Sequence, residues 1–99
     1  MKPLHYHPDA RAEIDEAHLW YRRDSLQASD GFLEELIPAI DRVQSRPGTY
    51  TRYLHGTQRL VLQHYPYSIV FRERLHDIQI VAIAHASRRP GYWAGRLKH

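Results

Sequence analysis

Within the last fifteen residues lie His85, Arg88, Arg89, Tyr92, Trp93 and Arg96. No other stretch of the chain gathers so many groups capable of chemistry, and the ligand that suits them is a phosphodiester. Arginine neutralises phosphate and stabilises charge that develops on it. Histidine can move a proton near neutral pH, and Tyr92 or Trp93 can stack on a base. The same residues have a plainer reading, in which the two aromatics pack the tail onto the fold while Arg88 and Arg89 stay in water. Upstream, Arg59 opens the run Arg-Leu-Val-Leu-Gln-His. Alternation places it with Val61 and Gln63, opposite Leu60 and Leu62. Arg72 alternates with inward residues in the next apolar run. If Arg59, Arg72 and Arg88 share one sheet face, they make a basic concavity. A surface ion pair is the ordinary alternative for each.

Other chemistries find no support. The chain has no Walker A loop, no Gly-x-Ser-x-Gly elbow and no His-Glu-x-x-His. From residue 50 onward the only acids are Glu73 and Asp77, so a glycosidase pair of carboxylates is missing. His5 and His7 would face one side of a strand, but a metal needs a third ligand that nothing nominates. His18 falls on a helix and is expected in water. No metal and no cofactor is expected. The absence of cysteine excludes disulfides, thiolate zinc sites and cysteine nucleophiles, and it fits a cytoplasmic location.

The charge is unevenly placed. Residues 1–49 hold nine acids and six bases, whereas residues 50–99 hold two acids and eight bases. Twelve of the fourteen bases are Arg, which suits bidentate contacts to phosphate or carboxylate. A surface that faces a polyanion or an acidic partner would follow from this split, and so would an unevenly charged face in water. With 99 residues, 42% of them hydrophobic, the chain reads as one domain, 1–99, with a modest core. Seven Tyr, two Trp and two Phe argue against disorder. No run approaches the roughly 20 apolar residues of a membrane span. No signal peptide is expected, since Met-Lys-Pro-Leu-His-Tyr-His lacks an apolar run.

The elements that must position these side chains divide at Pro47-Gly48. Leu4–His7 is a short strand. Pro8-Asp9 starts a helix, with proline at the first position and an early acid at the positive end of the dipole. Ala10, Ile14, Ala17 and Tyr21 form its apolar stripe, widened by Leu19 and Trp20, and it ends near Arg22-Arg23. Ser25 or Ser29 caps a second helix carrying Phe32, Leu33, Leu36, Ile37, Ile40 and Val43. Pro38 is expected to kink that helix rather than break it. The short connection makes an antiparallel helix hairpin. Strands follow at Tyr50–Leu54, Arg59–His64, Tyr67–Arg72 and Ile78–His85, with turns at Gly56-Thr57 and Leu75-His76-Asp77. Ala82 and Ala84 are expected on the face of Ile78 and Ile80, where their size admits close helix packing. The fold class is α+β, in the order β-α-α-β-β-β-β. The sheet is mainly antiparallel, the helices cover one face, and a C-terminal tail follows.

The order of these motifs resembles the RelE/ParE superfamily of type II toxin–antitoxin toxins, also called plasmid-stabilisation proteins. The resemblance begins with His7-Pro8-Asp9-Ala10, Glu13 and Trp20-Tyr21. It continues through Phe32-Leu33-Glu34-Glu35-Leu36, Ile40, Arg46-Pro47 and Gly56-Thr57-Gln58-Arg59. Tyr65-Pro66-Tyr67-Ser68-Ile69-Val70-Phe71 and Ile83-Ala84-His85-Ala86-Ser87-Arg88-Arg89-Pro90 extend it to roughly 90 residues. Tyr92-Trp93 and Arg96 look like a ParE-like branch.

The resemblance implies a small neutralising antitoxin and growth inhibition by the toxin. It also implies one of two targets. ParE-like members poison DNA gyrase and need no nuclease site, whereas RelE-like members cut mRNA on the ribosome without a metal. In the nuclease reading the catalytic set is Arg59, His85, Arg88 and Tyr92. In the binding reading, target or antitoxin contacts fall on Arg52, Arg59, Arg72, Arg88, Arg89, Trp93 and Arg96. RelE-like nucleases carry a lysine pair before the strand Arg. Here no Lys lies between Lys2 and Lys98, and Arg52 and His55 stand nearby instead. Arginine stays protonated and is a poor base, so His55, His64 or His85 would have to take the proton of an RNA 2′-hydroxyl. The leading expectation is therefore a ParE-like toxin that acts by binding. A RelE-type endoribonuclease and a degenerate, non-toxic partner-binding member are the alternatives. The sequence leaves homo-oligomerisation open, and no membrane partner is expected.

Overall fold

The computed structural model describes residues 1–98, in which strand β1 (Leu4–Tyr6) leads into helices α1 (Pro8–Asp24) and α2 (Leu26–Ser45). Strands β2 (Thr51–Arg52), β3 (Gln58–Val61), β4 (Tyr67–Glu73) and β5 (Ile78–His85) follow, and a tail closes with a 3-10 segment at Ala94–Lys98. His7 starts α1, its Nδ1 accepting the Asp9 amide at 3.1 Å. Ser25 both ends α1 and starts α2. Its amide donates to the Tyr21 carbonyl at 3.0 Å, and its hydroxyl accepts the Ala28 amide at 2.9 Å. One residue therefore makes the whole hairpin connection, because its extended backbone breaks the first helix and its side chain supplies the cap for the second. The second helix runs through Pro38 without interruption. Pro38 and Glu34 are both exposed, so the carbonyl that loses its donor meets water.

The sheet order is β1-β5-β4-β3-β2, with β1 parallel to β5 and every other pair antiparallel. The helices cover one face. Phe32, Leu36, Ala39 and Val43 of α2, with Ala10 and Ala17 of α1, pack against Leu60, Ile69, Phe71, Ile78, Ile80 and Ile83. Each of the larger side chains contributes roughly 1.5–3 kcal/mol through burial. The opposite face carries a second cluster, in which Val70, Val81 and Ala82 lie under the buried indole of Trp93. Among the described residues no helix is long and apolar enough to cross a membrane.

Two strands are shorter than their sequence patterns. Residues 50–54 yield only Thr51–Arg52, because the chain turns at Leu54–Gly56, where His55 takes a left-handed φ of 57° and Thr57 donates to the Leu54 carbonyl. Strand β3 stops at Val61 rather than His64. There the Glu35 carboxylate of α2 accepts the Gln63 amide at 2.6 Å and the His64 amide at 3.0 Å. These amides thus bond to a side chain instead of a neighbouring strand. One face assignment is also overturned. The β4–β5 pairing steps from Phe71–Ile80 to Val70–Ala82, so Val81 is an extra residue and the side-chain alternation flips. Ile83 then joins Ile78 and Ile80 under the helices, while Ala82 and Ala84 face the tail.

Gly31 marks a close approach of α2 to the sheet. A Cβ there would collide with the Tyr65 hydroxyl oxygen, which is held by donation to the Ala28 carbonyl at 3.0 Å. Tyr65 also packs edge-on against Tyr21 and Phe32, so it cannot easily move aside. In an open helix Gly→Ala gains up to about 1 kcal/mol. Here Gly31→Ala is expected to lose about 1–3 kcal/mol through overpacking, measured by urea denaturation. A stabilised variant would show that Tyr65 has room to shift.

Candidate functional site: a basic concavity under the tail

On the face away from the helices, β3, β4, β5 and the tail enclose a concavity of about 260 Å³ whose lining includes Arg59, His85, Arg88, Arg89, Tyr92 and Trp93. The guanidinium of Arg59 lies 4.2 Å from the centre of the Tyr53 ring, and that of Arg88 lies 3.9 Å from the Tyr92 ring. Stacking orients both cations without neutralising them. Among the described residues no carboxylate pairs with Arg59, Arg88 or Arg89, whereas Arg74 and Arg96 both have acidic partners. The concavity is thus a surface of uncompensated positive charge.

Of the three arginines the sequence placed together, Arg59 and Arg88 meet and Arg72 does not. Arg72 is on the same face but donates to Gln79 at 2.8 Å, away from the concavity. Its burial, with Arg74 nearby, pulls its pKa below the usual arginine value. Arg52 is exposed on the outermost strand and does not line the concavity. Trp93 is 1% exposed, so it follows the plainer reading and holds the tail down. Its indole packs near Tyr53 and edge-on to His55. Arg96 is turned toward α1, where Glu13 binds it at 2.8 Å.

Two of the candidate proton-transfer groups, His85 and Tyr92, are already engaged. His85 Nδ1 accepts the Ser87 amide at 3.0 Å and lies 2.8 Å from the Ser87 hydroxyl. An acceptor nitrogen carries no proton, so the neutral ring holds its proton on Nε2. The Tyr92 hydroxyl donates to Glu13 at 2.5 Å. Burial, and after it this hydrogen bond, pushes the Tyr92 pKa far above its ordinary value, and the hydroxyl stays protonated. His64 lies elsewhere, exposed beside Glu35. It borders a wider groove of about 1130 Å³ between α2 and β3, lined also by Glu34, Pro38, Arg42 and Tyr65. No group of three or more His, Cys, Asp or Glu among the described residues could hold a metal.

Sequence reasoning attached no role to Glu13 or Glu35. Both are half-buried acids beside the apolar helix stripes, and that position is the one signal that could have singled them out.

A two-helix layer covers one face of the five-stranded sheet and the cationic concavity lies on the other, which makes this a small α+β domain. The profile of the ParE toxin of type II toxin–antitoxin system, parDE, matches residues 4–90, and the chain belongs to this family. A solved structure described as the chromosomal ParDE TA system from P. aeruginosa superposes with a TM-score of 0.77 at 20% identity. The match covers 88% of this chain and 98% of that one, and it supports the fold. No curated protein matches the sequence.

Proposed function

We propose that this chain acts as a toxin by binding its target rather than by cutting RNA, with DNA gyrase as the target and a small antitoxin as its neutralising partner. It would work in the cytoplasm, as one toxin domain spanning 1–99. The observation that carries this reading is the state of His85. Among the described residues it is the one imidazole lining the concavity, and the lone pair a general base needs is taken by the Ser87 amide. Tyr92 offers no substitute, because its hydroxyl is spent on Glu13. What remains in the concavity is Arg59, Arg88 and Arg89, which bind anionic or carboxylate-rich surfaces without proton transfer.

The antitoxin reading draws on the same charges and on the wider groove. Acidic residues would meet the arginines, and apolar ones would lie between α2 and β3 over Leu60, Val61 and Pro38. The test compares two activities of the purified chain. Gyrase supercoiling should be blocked, while mRNA stays intact with and without ribosomes. Ribosome-dependent cleavage with gyrase unaffected would replace this reading with the endoribonuclease. Harmless expression without antitoxin, and inactivity in both assays, would leave a non-toxic partner-binding member.

A further inference from the structure

The last hydrogen bond from the N-terminal strand to β5 is His7 amide to Ile80 carbonyl, at 2.9 Å. Beyond it β5 has no strand on that side, and the bulge at Val81 turns a carbonyl and an amide outward. Side chains take the place of the missing strand. Glu13 Oε1 accepts the Ile83 amide at 3.0 Å, and Arg96 Nη1 donates to the Val81 carbonyl at 3.1 Å. These two side chains then join each other through a fork, Nη1 to Oε1 at 2.8 Å and Nη2 to Oε2 at 3.0 Å. With the Tyr92 hydroxyl added, the Glu13 carboxylate receives four hydrogen bonds, two of them from the same guanidinium. The Glu13 and Arg96 side chains are only 12% and 15% exposed.

We propose that Glu13 is a positioning residue: it latches the C-terminal tail so that Arg88 and Tyr92 stand over the sheet beside Arg59. The proposal rests on the reading of the concavity as the target surface. Backbone hydrogen bonds in the tail are local, from Tyr92 to Arg89, Ala94 to Gly91 and Arg96 to Trp93. Among the described residues, every hydrogen bond from residues 89–98 to the rest of the fold passes through Tyr92 or Arg96. Trp93 supplies apolar adhesion, which is weakly directional, whereas the fork fixes orientation. Tyr92 is held at its hydroxyl by Glu13, and the guanidinium groups of Arg88 and Arg96 lie 3.9 Å and 5.2 Å from the centre of its ring. The position of Arg88 is thereby tied to a carboxylate on α1 that need not touch the target. Burial is the largest single influence and would lower the Arg96 pKa, but the hydrogen bonding and charge of Glu13, with Tyr92 and Asp9 nearby, together turn the net shift upward, so the guanidinium stays charged.

The two tryptophans allow a direct test, because Trp93 is 1% exposed and Trp20 is 65% exposed. In a Trp20→Phe background, Trp93 is the sole reporter of the tail. Glu13→Gln should shift its emission to the red and increase quenching by iodide, while far-UV circular dichroism keeps the helices and sheet. The concentration needed to half-inhibit supercoiling should rise about tenfold, as for an interface that loses preorganisation. Adding Glu13→Gln to Arg96→Met should change neither readout further, since both act on one latch. Arg96→Lys, which keeps the charge and loses the fork, gives the same test if Glu13→Gln does not fold. Unchanged emission and quenching would overturn the latch. Shifted emission with unchanged potency would overturn the positioning role. If the Trp20→Phe protein itself does not inhibit supercoiling, the target reading fails, and the fluorescence still decides whether Glu13 holds the tail.

Discussion

Trp93→Ala lowers the free energy of unfolding by about 3–5 kcal/mol, as large core truncations of Trp do. The indole is 1% exposed and rests on Val70, Val81 and Ala82, with Tyr53 and His55 closing around it. Small side chains at Ala82 and Ala84 leave the space it fills, so no neighbour can expand into the void. Loss of the indole also weakens the apolar hold on the tail, leaving it to the Glu13 fork. Domains of this size have about 5–15 kcal/mol in total, so a large share is removed by one substitution. Urea denaturation followed by circular dichroism measures it. A cost under about 1 kcal/mol would mean that this face of the sheet is stable without its cover.

Reversing the charge of the concavity has the largest functional effect. Arg59→Glu combined with Arg88→Glu replaces two cations that have no ion-pair partner among the described residues by two anions. Inhibition of supercoiling should weaken by at least about 100-fold, since like charges brought together across an interface cost several kcal/mol. The remaining activity should depend less on salt than that of the parent chain. Folding should be nearly unaffected, because Arg88 is exposed and Arg59 contributes mainly its stacking on Tyr53. A loss below about tenfold, measured in the same assay, would place the target contacts outside the concavity.

The helices were legible because their apolar stripes repeat with the helical period and Ser25 stands where both caps are needed. The element order followed from the breakers at Pro47-Gly48, Pro66 and the turn before Ile78. The flip of β5 was not legible. Ile-Gln-Ile-Val-Ala-Ile-Ala offers apolar residues on both faces through Val81, and only pairing with β4 reveals which residue is extra. The early end of β3 was hidden for a related reason, since Glu35 of a different element takes the Gln63 and His64 amides, and β2 is cut short by the left-handed turn at His55. At the site, Arg59, Arg88 and Arg89 emerged from alternation and clustering. Trp93 and Arg96 carry the right chemistry for contact but are turned inward by partners the local sequence does not announce. Glu13 lies 70 residues from Ile83, 79 from Tyr92 and 83 from Arg96. Its place beside the apolar stripe marks an unusual acid, but local pattern does not report the donors that reach it from the other end of the chain.

The parallel pairing of β1 with β5 has a consequence in time. Leu4 is synthesised 74 residues before its partner Ile78. At about 5–20 residues per second, roughly 4–15 s separate the two on the ribosome. The helix hairpin can form early, but the sheet beneath it stays unfinished until β5 emerges, and Arg96 reaches Glu13 later still. A chain released before Ile78 lacks both β5 and the tail, and with them the concavity.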